Sequence, residues 1–369
     1  MKIAIIGAGL SGLACASECE KLNVLPDIFE RGDTIGWPWP TVTLELGLLS
    51  RNIGNPIQYI RENFNLSVKP HNQLKTIIMK SPNNEIKIEG DLGYSFVRGK
   101  GVAAIDQQLH NVLNRTVVHV NRPASLTEMA KKYDYVVVAT GKDTEAAELG
   151  LWEDHGQISV IGGLAIGSFD PQLSTIYFNT DYAGTGYARV TPYSTTMATV
   201  ELYVIGQGPF ELEKRFSKFL RTEGLENLEF MFKNMPPVFQ TGKVKRFKEG
   251  NILLVGRAAG LTDRLLGVGG LSAIMSGVYA ARSIIQGLDY EELVKPLQDH
   301  VENMSAFRNI MENFTNDDYD KLLTLLGAPG IKQLVYNTKL NFSDLFGYII
   351  KKLYGEQPPL NLTERREGY

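Results

Sequence analysis

The sequence predicts an α/β fold: a parallel sheet wrapped by helices, an inserted and mostly antiparallel β domain, and a helical C-terminal region. Three observations carry this. The chain opens with a short apolar run, Lys2 to Ile6, that leads through Gly7-Ala8-Gly9-Leu10-Ser11-Gly12 into a helical segment ending near Leu22. Two further apolar runs, Tyr133 to Ala139 and Asn251 to Val255, end in Thr140-Gly141 and Gly256-Arg257-Ala258-Ala259-Gly260. Between them, from about Ile158 to Leu202, β-branched and aromatic residues alternate with others, as in antiparallel strands.

A run as apolar as Lys2–Ile6 suits a strand buried on both faces, hence a central parallel strand. In the Gly-x-Gly-x-x-Gly spacing, Gly7 allows the tight turn, Gly9 lets backbone approach a pyrophosphate, and Gly12 lets helix and strand pack closely. The helix N-terminus offers that pyrophosphate free N–H groups and partial positive charge. A second apolar run, Val24 to Phe29, closes in Glu30, 18 residues past Gly12. A carboxylate there accepts hydrogen bonds from an adenosine ribose and repels a 2′-phosphate. The whole reads as a Rossmann-type unit for FAD or NAD rather than NADP.

The bulk numbers fit that reading. A chain of 369 residues provides for two to three domains, and 43% apolar with 21% charged residues is ordinary globular composition. A net charge of −3 gives no basis for a nucleic-acid partner. Met1 leads directly into the first strand, so no targeting peptide is expected, and no apolar run reaches the roughly 20 residues of a membrane span. The expected location is cytoplasmic. Cys15 and Cys19 stand one helical turn apart and read as buried structural thiols rather than a redox pair. Five scattered histidines show no ligand spacing, and no metal is expected.

Along the chain, Gly36-Trp37-Pro38-Trp39-Pro40 is a rigid loop, either a connector or part of a cleft wall. A helix is predicted over Asn55–Phe64, and a β-hairpin over Leu74–Met79 and Glu85–Glu89 around Ser81-Pro82-Asn83-Asn84. Ile105–Leu113 reads as helix and Thr116–Val120 as strand. Further strands are expected at Thr175–Asn179, Gly186–Thr191 and Thr199–Ile205, and a helix at Phe210–Glu223. Gly206-Gln207-Gly208 imitates a second nucleotide loop, but Glu211 stands where the third glycine belongs. NAD(P)H is therefore expected only as a transient electron donor, and the donor itself is not specified. The segment Asp263 to Gly270 leads into a helix of small residues whose N-terminus would favour an anion beside Gly269 and Gly270. From Asp289 the chain is helical. Its last helix, Leu340–Leu353, aligns Leu345, Phe346, Ile349 and Leu353 and carries Lys351 and Lys352, as a helix docked on the body or in peripheral membrane contact would. The resulting division is 1–50, 93–150 and 240–288 for the nucleotide domain, 51–92 and 151–239 for a substrate or cap domain, and 289–369 for the helical region.

The Gly7–Glu30 unit, the Ala139-Thr140-Gly141 strand end and the Gly256–Gly270 segment together resemble the FAD-dependent oxidoreductases of the glutathione-reductase-like superfamily. More narrowly, residues 1 to about 290 resemble the geranylgeranyl reductase family. Gly186-Tyr187-Ala188-Arg189-Val190-Thr191-Pro192 is similar to that family's Tyr-x-Trp-x-Phe-Pro substrate motif, with Arg189 and Thr191 replacing the aromatics. Tyr94 to Leu109, with Arg98, resembles the stretch whose arginine contacts the flavin nucleotide.

The resemblance implies that Gly9, Leu10, Ser11, Gly12, Glu30, Arg98 and Val118 hold the ADP half of FAD, and that the backbone of Gly267, Gly269, Gly270 and Leu271 lies against the isoalloxazine. Gly7, Arg31, Thr140, Gly141, Gly256, Arg257 and Asp263 complete the cofactor candidates. Arg257 stands where the family has Asp; it either pairs with the pyrophosphate or marks weakened flavin binding. Substrate-side candidates are Glu45, Tyr187, Arg189 and Pro192. Glu45 lies in Leu44–Ser50, comparable to a loop that carries a cysteine in archaeal lipid-reducing relatives and has none here. No catalytic residue is assigned. The implied activity is hydride transfer through FAD to an apolar, isoprenoid-like small molecule. The alternatives are a flavin monooxygenase, or a flavin fold that has lost redox activity and binds a ligand or partner.

Overall fold

A computed structural model of the chain describes residues 1–36, 41–48, 50, 53–206 and 208–331. The Trp37–Pro40 loop, Gln207 and the Leu340–Leu353 helix, with its membrane-contact reading, lie outside the described residues.

In chain order the first elements are β1 (Ile3–Ile6), α1 (Leu10–Lys21), β2 (Asp27–Phe29), β3 (Thr41–Leu46), α2 (Pro56–Phe64), β4 (Asn72–Lys80) and β5 (Glu85–Arg98). Next come α3 (Ile105–His110), β6 (Val118–His119), α4 (Leu126–Lys132), β7 (Tyr135–Val138), α5 (Thr144–Glu148), β8 (Trp152–Ile166) and β9 (Leu173–Tyr177). Then follow α6 (Thr180–Ala183), β10 (Tyr187–Pro192), β11 (Met197–Ile205), α7 (Leu212–Thr222), β12 (Glu229–Asn234), β13 (Phe239–Val244) and β14 (Lys248–Glu249). Last are β15 (Ile252–Leu254), a 3-10 turn (Gly256–Ala259), α8 (Gly270–Gln286), α9 (Tyr290–Met311) and α10 (Asn316–Gly327).

Among the described residues these strands form two sheets. The first has the order β14-β15-β7-β1-β2-β6, parallel except for the β14 edge. Its centre is fully apolar: Ile5 sits between Ile28 and Val137, and all three are excluded from solvent. This is why those runs do not alternate. β2 starts only at Asp27, because Pro26 has no N–H to give the ladder.

The second sheet has the order β12-β8-β11-β10-β9-β4-β5-β3, with β13 added to β8. Its pairs are antiparallel apart from β4 with β9. α7 covers one face through Phe216, Phe219 and Leu220. Elsewhere, Leu44, Leu74 and Ile77 pack with Met304, Tyr319 and Leu322 from α9 and α10. β10 is buried at every position. The predicted hairpin is β4–β5, turned at Ser81–Asn84.

Residues 41–46, expected in the nucleotide part, pair through β3 with β5 of the second sheet, and 240–244 pair through β13 with β8. Conversely, α2, expected in the cap, buries Ile60 and Phe64 in the core around α1. Among the described residues no helix is long and apolar enough to cross a membrane.

Candidate functional site

A cleft of about 470 Å³ runs between the two sheets, within the size range of small-molecule and cofactor sites. Its first wall is the turn from β1 to α1. Gly7 has φ +106°, and a Cβ there would lie 2.5 Å from the Ala139 carbonyl oxygen. A Cβ at Gly12 would lie 2.0 Å from the Gly7 oxygen. The protein's own packing therefore demands both glycines. Gly9 differs: it is the N-cap of α1, and no atom lies within 4 Å of where its Cβ would be. No side chain caps that helix, so its first N–H groups, near Leu10 and Ser11, remain for something in the cleft.

Glu30 closes β2 and lines the same wall. Its two oxygens accept from the backbone N–H groups of Ala8 (2.9 Å) and Gly32 (2.7 Å), which fixes the carboxylate and leaves further lone pairs for a ribose. Arg31 follows at the exposed rim.

Arg98 leaves the end of β5 and donates twice to Asp106 of α3, at 2.8 Å each. Gly141, beyond β7, has φ +66°, and its carbonyl accepts from Arg257 Nε at 2.8 Å. The Thr140 hydroxyl donates to Glu145. Arg257 lies over the Phe239 ring at 5.0 Å. Burial, then the like charge of Arg98, lowers its pKa to about 10, so it stays charged at neutral pH. Two arginines thus line one partly buried cleft; Arg98 is already paired with Asp106, so the arrangement suits a phosphate group chiefly through Arg257.

A neighbouring stretch of wall, beside α1, is the segment from Thr262 to Gly270. Leu266, Gly267, Val268, Gly269 and Gly270 line the cleft, and α8 begins there, again with no side-chain cap.

The structure therefore gathers Gly7, Gly9, Leu10, Ser11, Glu30, Arg31, Arg98, Thr140, Gly141 and Arg257 around one space, together with Gly267, Gly269, Gly270 and Arg189. The remaining predicted residues stand outside its lining. Gly12 serves helix–strand packing, and Gly256 donates its N–H to Ser276 at 2.9 Å. Val118 sits in the edge strand opposite Ile28. Asp263 turns its carboxylate to its own loop, accepting from Leu265 (2.8 Å), Leu266 (2.7 Å) and Val268 (2.6 Å). It shapes the wall rather than facing the cleft. The Tyr187 hydroxyl donates to the Leu266 carbonyl at 2.6 Å, and Pro192 ends β10 opposite Ala198.

Glu45 and Leu271 line a second cavity of about 150 Å³, with Asp263, Ser50 and His300; it shares Val268 and Gly269 with the main cleft. Burial raises Glu45 to about 7 against the hydrogen bond from Ser50, and Asp263 adds to the rise. Burial likewise raises Asp263 to about 6, opposed by the loop N–H groups. Among the described residues, no group of three or more His, Cys, Asp or Glu could hold a metal ion. Cys15 and Cys19 are buried and unlinked within α1.

Sequence reasoning missed Thr41, Glu201 and Tyr203, which line the second-sheet end with Arg189. The signal was present: Glu201 interrupts an apolar strand, 12 residues from the equally misplaced Arg189 across a short turn.

The two-sheet architecture, with a Gly-x-Gly-x-x-Gly turn at its parallel sheet, is shared with solved structures of flavin-dependent proteins. Residues 5–66 match the family described as NAD(P)-binding Rossmann-like domain. A geranylgeranyl bacteriochlorophyll reductase-like protein of Thermoplasma acidophilum shares the fold over 96% of both chains, with TM-score 0.71 and 17% identity. A flavin-dependent halogenase aligns over 96% of this chain and 70% of its own, with TM-score 0.62 and 16% identity. In sequence, the chain is 22% identical to digeranylgeranylglycerophospholipid reductase 1 of Methanosphaera stadtmanae over 178 residues. That match spans 45% of this chain and 44% of the relative. The predicted fold and its resemblance to the geranylgeranyl reductases hold.

Proposed function

We propose that the chain is an FAD-dependent oxidoreductase, a reductase or dehydrogenase acting on an apolar, isoprenoid-like small molecule. The observation that carries this reading is Gly9: a side-chain-free, uncapped helix start whose missing Cβ would project into the cleft and touch no protein atom. The residues present fit the cofactor. The α1 N-terminus would receive the pyrophosphate, with Arg257 supplying charge beside the Asp106-paired Arg98, and Glu30 would receive the ribose. Bound FAD would supply hydride transfer, which no side chain can. The α8 N-terminus, presented by Gly269 and Gly270, would offer fixed positive potential to the negative charge of a reduced ring. Glu45, held near neutrality by burial, can keep a proton on the far side of the loop wall.

The test is reconstitution. Protein incubated with FAD and stripped of free flavin by gel filtration should be yellow, with one flavin per chain. After anaerobic reduction with dithionite it should reoxidise faster with a polyprenyl acceptor than with oxygen alone. The shared fold with a halogenase favours an oxygen-using enzyme as the second reading, and rapid oxygen uptake would select it. A colourless sample would overturn both and leave a scaffold for another ligand.

A further inference from the structure

We propose that Glu45, in the smaller cavity behind Val268 and Gly269, is the redox-linked proton acceptor of the cofactor site: reduction of the ring in the main cleft draws a proton from water onto its carboxylate. This deepens the oxidoreductase reading and rests on it for the presence of the ring.

The wall between the two spaces is thin. Val268 and Gly269 line both, and Glu45 and Asp263 stand together behind them. Asp263 is tied to the wall itself: its carboxylate accepts from the Val268 N–H at 2.6 Å, and its own N–H donates to the Val268 carbonyl at 2.9 Å. The N–H groups of Leu265 and Leu266 also point to it, so Asp263 keeps the negative charge of the pair. Glu45 is placed differently. Its hydrogen-bond partner among the described residues is Ser50, whose Oγ lies 2.7 Å from Glu45 Oε1 and 3.2 Å from the Leu46 carbonyl oxygen. One hydroxyl proton cannot fully serve two acceptors. A protonated Glu45 resolves this, donating to Ser50 while Ser50 donates to Leu46. The bonding pattern therefore has a place for one proton on Glu45, beside an anionic Asp263.

The other titratable groups around Glu45 are Tyr94, opposite it on β5, with Tyr59 of α2, Tyr279 of α8 and His300 of α9. Burial lowers His300, which leaves it uncharged near neutral pH, and burial raises Tyr279. No Lys or Arg among the described residues lines the cavity. Burial, with Asp263 adding to it, sets Glu45 at about 7, so its charge changes close to neutrality. The 150 Å³ space has room for the water that brings the proton. A reduced ring would add one negative charge across the wall, and a like charge so close makes Glu45 hold its proton more tightly. Reduction then gives the ring two electrons from the reductant and one proton, and gives Glu45 one further proton from water; reoxidation returns both.

The test is proton counting on the FAD-loaded protein, reduced anaerobically at a mediated electrode in weak buffer with a pH indicator, from about pH 6 to about pH 9. Uptake should rise from about one proton per two electrons below about pH 7 to about two above it, and the midpoint potential should steepen with pH over the same range. The ring's own ionisation runs the other way, shedding a proton as pH rises, so the two sources are told apart by sign. Glu45→Gln, checked for FAD retention and by circular dichroism, should take up about one proton throughout. Should that variant not hold FAD, the wild-type profile decides. Wild-type uptake that stays level or falls above about pH 7, or a second proton that survives in Glu45→Gln, would overturn the proposal and leave the oxidoreductase reading standing. A wild-type protein that retains no FAD would overturn both.

Discussion

At the parallel-sheet end of the cleft, the proposed recognition is carried by backbone and strand ends: two uncapped helix starts, a carboxylate tied to two N–H groups, and Arg98 and Arg257 at strand ends. At the antiparallel end the polar groups are side chains in mid-strand, where Arg189 and Glu201 face each other across neighbouring strands. The first kind of site tolerates any ligand with the right charge and outline. The second is engaged with its own partners, and breaking it leaves an unpaired charge inside the protein.

Substitutions at the glycine turn sharpen the contrast most. Gly12→Val should destabilise the fold by about 3 kcal/mol or more, through overpacking against the Gly7 carbonyl. Gly9→Val should cost about 1 kcal/mol, the loss of a good N-cap, yet abolish FAD binding. Urea unfolding and flavin titration on both variants separate the effects. Equal destabilisation would mean that Gly9, too, serves only packing.

Arg257→Asp should weaken FAD binding about ten- to a hundredfold by removing a charge-assisted donor to the pyrophosphate. Tighter binding would show that the arginine impairs the site.

The wall between the two ends should reveal itself through pH. Glu45 and Asp263 are raised to about 7 and about 6, so the folded state holds their protons more tightly than the unfolded chain does. Their contribution to stability is fully present below about pH 4 and is lost as pH rises through about 7. Glu45→Gln should therefore raise stability by about 3 kcal/mol at about pH 8 and change it little at about pH 4. An unchanged pH profile would contradict a buried, proton-retaining Glu45. The smallest effect is expected at Cys19→Ala, about 1 kcal/mol from a small buried volume, with flavin reduction unaltered.

The parallel-sheet end was legible because its devices are local. Gly7–Gly12, Glu30 and Thr140-Gly141 each work within a strand–turn–helix segment, so spacing alone places them. The antiparallel end was not, because it depends on register: Arg189 meets Glu201 only once β10 and β11 pair, and Thr41 joins them from a strand remote in sequence. The resemblance pointed to Arg189 but not to its partners. Asp263 was misread for a related reason. A carboxylate in a glycine-rich loop suggests a ligand contact, whereas here it gathers the N–H groups of the next turn.

The most direct measurement is titration of the purified protein with FAD, followed by calorimetry and visible absorbance, alongside Gly9→Val. The account predicts saturable binding of one FAD per chain and none to the variant. Absence of binding to the wild-type protein, or equal binding to both, would contradict it.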